Sequence, residues 1–251
     1  MPISIQSIYW DDVPVTTSVD RHTTVLDRIG TEIASGVRAA GSVLTLDGIG
    51  VAYGVSRSVA REAVRVLESM GLVASRRRVG ITVQPRATWN VFDPRVIAWR
   101  LEGADRAGQL ISLAELRRGF EPAAAALAAE RADAEQCRQL AAAVSDMVVT
   151  GRTGDQEAYL RADQLFHRVL LEASGNEMFA ALAGLVDGAL EGRTHHDLMP
   201  ERPNKEALAR HDEVARAVRD GDAVVAESAM RAIIDEAAAA VAREFGGPDP
   251  A

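Results

Sequence analysis

The chain is poor in several things. Among its 251 residues there is one cysteine, Cys137, which excludes an intramolecular disulfide and a cysteine-based zinc site and suits a reducing compartment. No apolar run approaches the roughly 20 residues that cross a bilayer as a helix. The N-terminus also lacks the basic-then-apolar order of a secretion signal, so a cytoplasmic location is the expectation. Aromatic residues make up only 4% of the chain, and Lys205 is the only lysine, so positive charge is carried by arginine.

What charge there is divides along the chain. Residues 1 to 86 hold ten basic and eight acidic side chains, net +2, whereas the remainder holds eighteen against twenty-eight, net −10, matching the overall −8. The length exceeds that of most single domains. We therefore expect a first domain over 19–86, a linker and connecting helix over 87–104, and a second domain over 105–245. The first eighteen residues, with Pro2 and Pro14, read as a loose arm before a first helix from Val19 to Arg38.

The most informative stretch runs from Tyr53 to Gly80. Ser56 is placed to cap a helix in which Val59, Ala63, Val66, Leu67 and Met70 recur at three- and four-residue spacing, an amphipathic stripe for packing on a core. The other face carries Arg57, Arg61 and Arg65, one turn apart, with Ser56 and Ser58 at its start. Such a face is either simply solvated or fit to fork guanidinium groups onto phosphates and guanine edges. Gly71 stops the helix. Two short strands, Leu72 to Ser75 and Ile81 to Val83, then flank the tip Arg76-Arg77-Arg78-Val79-Gly80, a basic hairpin able to lie along a phosphate backbone.

On Val55-Ser56-Arg57, Arg61-Glu62-Ala63, Leu67 and Gly71-Leu72-Val73 the chain resembles the GntR family of bacterial transcription regulators. The resemblance implies a winged helix-turn-helix in which Ser56, Arg57, Ser58, Arg61 and Gly80 contact double-stranded operator DNA. One departure stands just before it. In Leu44 to Gly54, Asp47 occupies the place of an expected basic phosphate contact, and Gly48 and Gly50 each cost a helix about 1 kcal/mol relative to Ala. A looser second helix with one fewer anchor is expected.

Beyond Pro85 the chain begins as a linker and enters a short helix, with Trp89, Phe92 and Trp99 close together as an expected joint between domains. Long helical periods follow, at about 106–132, 134–150, 155–173, 177–192, 204–220 and 222–245. Breaks are expected at Gly151, Gly154, Gly175, Pro200, Pro203 and Gly221. No strand-period segment appears, so the fold class is mainly α: a winged helix-turn-helix followed by an antiparallel all-helical bundle.

Three features of the bundle bear on chemistry. Asp163 and His167, four apart, share a helical face and serve either as a surface hydrogen bond or as two ligands of a divalent ion, with His211 available as a third. Arg117 lies one turn before Glu121 and is either half of a structural ion pair or the clamp for an anionic ligand. Glu191 to Asn204, rich in Arg, Thr and His, is either a plain surface loop or the mouth of a pocket.

Arg117 with Glu121, Asp163 with His167, Ser174-Gly175-Asn176 and His211 together resemble the ligand-binding FCD domain of the FadR subgroup of GntR regulators. That resemblance implies zinc or nickel held by Asp163, His167 and His211, and a small carboxylate effector bound by Arg117, Asn176, His195 and His196. Ile233 stands where the subgroup usually has a fourth ligand, His, so water or the effector would have to complete the shell. The linker residues Trp89, Asn90, Asp93, Trp99, Leu101 and Glu102 are most similar to a branch answering to sugar acids, which implies galactonate or a related aldonate. The function so implied is a homodimeric repressor of sugar-acid catabolism. An Asp/His/His metal site with an open position also suits a metal-dependent hydrolase or oxygenase. Against an enzyme stand the absence of a further acid–base pair near those residues and the lack of any use for the arginine helix and wing.

Overall fold

The computed structural model describes residues 18–196 and 204–245. The expected N-terminal arm, apart from its last residue, and the centre of the Glu191–Asn204 segment lie outside the described residues. The chain divides into two compact units between Trp89 and Asn90.

The first unit is mainly helical with a small sheet. Helix α1 (Ser18–Ala34), strand β1 (Val43–Leu44), helices α2 (Leu46–Tyr53) and α3 (Arg57–Ser69), and strands β2 (Val73–Arg76) and β3 (Gly80–Val83) follow in order. Val25, Leu26, Ile29 and Ile33 make a buried stripe on α1, which packs against α3. The buried stripe of α3 is Ala60, Ala63, Val64 and Leu67, so the expected stripe is rotated: Val59 and Val66 are only half-buried. Packing on α1 selects the face, and small alanines there let the two backbones approach. Ser56 does cap α3, its hydroxyl oxygen accepting the Val59 amide at 3.3 Å.

Helix α2 forms in spite of its glycines. Thr45 caps its start by accepting the Gly48 amide and Gly54 ends it in a left-handed conformation. A Cβ at Gly48 would come within 2.9 Å of Thr45 Oγ1, and one at Gly50 within 3.1 Å of the Val55 carbonyl. The two glycines thus match close approaches at a tight cap and turn. Tyr53 and Arg38 both donate to Glu32 Oε2, at 2.7 and 2.5 Å, tying α2 and the turn after α1 together.

The sheet has the order β1-β3-β2, all antiparallel, with Val43 opposite Thr82 and Arg76 opposite Gly80. Strand β1 was not among the sequence expectations. At two residues it has no alternation to read, and only pairing with β3 makes it a strand.

The second unit is all-helical. Its elements are α4 (Pro94–Leu101), α5 (Arg106–Arg131), α6 (Ala134–Thr153), α7 (Gln156–Ala173), the one-turn α8 (Glu177–Ala180), α9 (Ala183–His195), α10 (Lys205–Asp220) and α11 (Ala223–Phe245). Helix α6 runs straight through the expected break at Gly151, which is buried, and stops at left-handed Gly154. Helix α5 packs along α11, and α7 lies against α5, α6 and α9. Ala124, Ala125, Ala128 and Ala129 are all buried along α5, which keeps its neighbours close. Two apolar clusters result. One is centred on Leu140, Met147, Phe166 and Met230, the other on Ile97, Phe120, Leu171 and Leu190.

The three linker aromatics part company. The Trp89 ring N–H donates to the Gln84 carbonyl within the first unit, Trp99 is buried in α4 of the second, and Phe92 is 53% exposed.

Candidate functional site

Two regions carry concentrated charge, one on the surface and one inside. On the first unit, Ser56, Arg57, Ser58, Arg61 and Arg65 are exposed along one face of α3, and Arg76, Arg77 and Arg78 are exposed at the β2–β3 tip. Burying Ala60, Val64 and Leu67 against α1 forces this arginine face outward. Arg57 meets Asp47 at 3.3 Å, with side chains 64% and 76% exposed. An ion pair so open to water contributes little, so Arg57 is easily recruited by a phosphate. Because the Ser56 oxygen accepts from Val59, its proton remains available to a phosphate oxygen. Gly80 differs from the others. It is half-buried at φ 111°, and a Cβ there would lie 2.9 Å from both the Leu44 carbonyl and Val43 Cγ1. Its local role is to let β1 close on the wing.

Inside the second unit, α5, α7 and α10 bring five polar side chains together: Arg117, Glu121, Asp163, His167 and His211 are all buried. Arg117 faces inward, whereas Arg118 is surface-exposed and pairs with Asp235 at 2.9 Å. Glu121 accepts from Arg117 Nε through Oε1 and from His167 Nδ1 through Oε2, the latter at 2.5 Å. Burial alone would raise the Glu121 pKa, but the charges of Arg117 and His167 bring it down to about 2. Burial likewise opposes the His167 imidazolium, yet Glu121 and Asp163 push its pKa up to about 9. Burial alone would raise the Asp163 pKa, but the adjoining His167 and His211 imidazoles outweigh it and hold the carboxyl well below the carboxylate range.

The arrangement fits a divalent ion. Asp163, His167 and His211 each offer a ligand atom, and these atoms lie within 4.8 Å of one another. Both imidazoles are oriented from behind: His167 Nδ1 donates to Glu121 and His211 Nδ1 to the Ala207 carbonyl at 2.7 Å. That leaves both Nε2 atoms toward Asp163, at 3.4 and 3.3 Å from Oδ1. The outer partner of each ring is thus in place to select its tautomer and aim it. Asp163 Oδ1 and His211 Nε2 are buried and, although 3.3 Å apart, have no well-formed hydrogen bond among the described residues. Two polar atoms so placed are suited to a shared third body. Phe166 sets its ring edge-on to both imidazoles, with centroids 5.6 and 5.0 Å away, and closes the apolar side.

A cavity of about 60 Å³ opens on this cluster. At about 10–15 Å³ for one water, it has room for a few waters or a small ligand group. Its wall includes Arg117, Tyr159, Asp163, His167, His211, Ile233 and, in addition, Arg193, Asn204 and Glu236. Ile233 offers no lone pair where the sequence resemblance expected His, so three candidate ligands face the cavity and an ion there would need a fourth donor from water or a ligand.

The remaining expected effector residues are not on the cavity wall. Asn176 caps α8, accepting the Met178 amide at 3.0 Å. His195 is exposed and its Nε2 lies 2.9 Å from Glu157. His196 ends α9. Helix α9 extends to His195, so the front of the expected loop is helical. Sequence reasoning missed Arg193. Its signal was the continuation of the α9 stripe Val186, Ala189 and Leu190, which reaches Arg193 three residues on.

Comparison with known proteins accords with both halves. Residues 21–83 match the family model of bacterial regulatory proteins, gntR family, and residues 112–236 match the FCD domain. The chain is 30% identical over 209 residues to the galactonate operon transcriptional repressor of Escherichia coli, covering 82% of this chain and 90% of that one. It is 28% identical over 188 residues to the transcriptional regulator LutR of Bacillus subtilis, covering 72% and 82%. A solved structure of Lar, which controls expression of the Listeria monocytogenes agr system, shares the fold. Its TM-score is 0.64 at 17% identity, over 88% of this chain and 96% of that one. E. coli McbR/YncC shares it too, at a TM-score of 0.54 and 16% identity over 90% and 98%.

Proposed function

The chain belongs to the gntR family of bacterial regulatory proteins, as a DNA-binding transcription regulator with an FCD domain and not an enzyme, and on that premise we propose a homodimeric repressor released by a small carboxylate of the aldonate type. The observation that carries the proposal is the cavity that joins two guanidinium groups to the Asp163, His167 and His211 cluster. Galactonate is the preferred effector, supported by the likeness to the galactonate operon repressor of E. coli.

Two copies of α3 and of the wing, one pair per subunit, read a short inverted repeat. Arg57 and Arg61 reach phosphates or guanine edges, Ser56 and Ser58 donate to phosphates, Gly80 keeps the wing close to β1, and the wing arginines supply sequence-independent attraction. In the second unit, Asp163, His167 and His211 would hold a zinc or nickel ion. When bound, that ion supplies a Lewis-acidic position for an effector oxygen. Arg117, already paired with Glu121, braces the cluster and adds positive potential. Effector and DNA then compete only if the effector favours the arrangement of the DNA-binding heads that does not fit the operator.

Fluorescence anisotropy of the protein on the duplex immediately upstream of its own reading frame, at fixed salt with galactonate and related aldonates titrated in, tests this reading. Tight binding released by one aldonate is the expected result. Tight binding unmoved by every sugar acid removes the effector assignment, and tightening in place of release removes the repressor sign.

A further inference from the structure

Resting on that reading of the cavity as an effector site, we infer that Arg193 is the residue that grips the effector's carboxylate. Arg117 is the guanidinium that the motif suggested, but it is engaged: Glu121 accepts from it through both oxygens. Its Nη2 also lies 3.4 Å from His167 Nε2. Arg193 is in the opposite condition. Its Nε is buried without a hydrogen-bond acceptor, and no carboxylate pairs with it among the described residues.

Among the described residues, the surroundings favour one direction for its guanidinium. Arg117 and Arg193 stand between two hollows, and the second is otherwise walled by Leu110, Ala114, Ala189, Ile234, Ala237 and Val241, which offer no side-chain acceptor. On the other side is the polar cavity. Burial first, and then the like charge of Arg117, depress the Arg193 pKa, whereas the charges of Asp163, Tyr159 and Glu236 oppose that shift. A half-buried cation whose Nε is buried without an acceptor, beside another cation, is a poor element of structure and a good receptor for an anion. An acid with one oxygen on the Asp163, His167 and His211 side and its carboxylate on Arg193 would span the cavity, which makes Arg193 a specificity determinant for carboxylates over neutral sugars.

The test uses the full chain loaded with zinc, as wild type, Arg193→Gln and Arg193→Lys. Thermal shift and calorimetry are run with galactonate, with galactose as its neutral counterpart, and with acetate as a plain carboxylate. In the ligand-free state Arg193→Gln should melt no lower than wild type and bind zinc at the same stoichiometry, since it removes an uncompensated charge. Galactonate affinity should fall by about tenfold or more, the scale of a lost charge-assisted bond, with partial recovery in Arg193→Lys.

If galactonate leaves wild type unmoved but acetate stabilises it more than Arg193→Gln, the aldonate assignment fails and the role of Arg193 stands. Equal responses of wild type and Arg193→Gln to both acids, a response of neither, or a ligand-free Arg193→Gln protein that melts well below wild type would each overturn the inference.

Discussion

The two units use the same side chain under opposite conditions. Arginines on α3 and the wing stand in water, where each charge is solvated already and a phosphate is an exchange of partners. Arg117 and Arg193 in the second unit face a small hollow, where every charge needs a named counterpart. The contrast teaches that a surface site can tolerate the loss of single residues while a buried one is coupled, because desolvation makes each unpartnered charge expensive.

The comparison breaks most sharply at Glu121, which serves two buried cations at once. Glu121→Ala should destabilise the chain by about 3–5 kcal/mol, as for a buried pair deprived of one partner, read from urea unfolding. A loss under 1 kcal/mol would mean that the cluster is wetter than its burial indicates. Chelation comes next. A zinc-loaded sample at a hundredfold excess over the dissociation constant should lose about 2.7 kcal/mol on treatment with EDTA, whereas His211→Ala should show no zinc-dependent change in melting.

On the surface side, Arg61→Ala should weaken operator binding by about 1–3 kcal/mol while leaving the melting temperature unchanged. Wild-type affinity in anisotropy would take α3 off the DNA. Smallest of all is Asp47→Ala. The exposed pair with Arg57 contributes under about 1 kcal/mol, so stability should hardly move, but removal of a negative charge beside the arginine face should tighten DNA binding modestly. Weaker binding would show that Asp47 orients Arg57 for its contact.

Much of the first unit was legible in sequence because its signals are local. A serine cap, a glycine stop and a basic turn between two short strands depend on neighbours within a few residues. The exact stripe of α3 was not legible, since Val59 and Ala60 are both apolar and only α1 decides which turns inward. Gly80 likewise carries a steric reason, the close approach of β1, that the sequence did not show. In the second unit the i, i+4 spacing placed Arg117 with Glu121 and Asp163 with His167 on common faces. It was silent about Glu121 meeting His167 from another helix, 46 residues away. Asn176, His195 and His196 were assigned through resemblance, and the cavity wall does not include them, because a helix cap, a surface pairing and a helix end already account for their positions.

By itself the sequence determined two kinds of domain, the arginine face that must lie opposite a buried stripe, and the ligand types available for a metal, since periodicity and composition act within one helix. Only the tertiary structure decided that Asp163, His167 and His211 converge, that Ile233 faces the same cavity as they do, and that among the described residues the Nε of Arg193 rather than that of Arg117 is left without an acceptor. Those outcomes depend on which helices pack together, and burial assigns each charge its energetic value only once that packing is made.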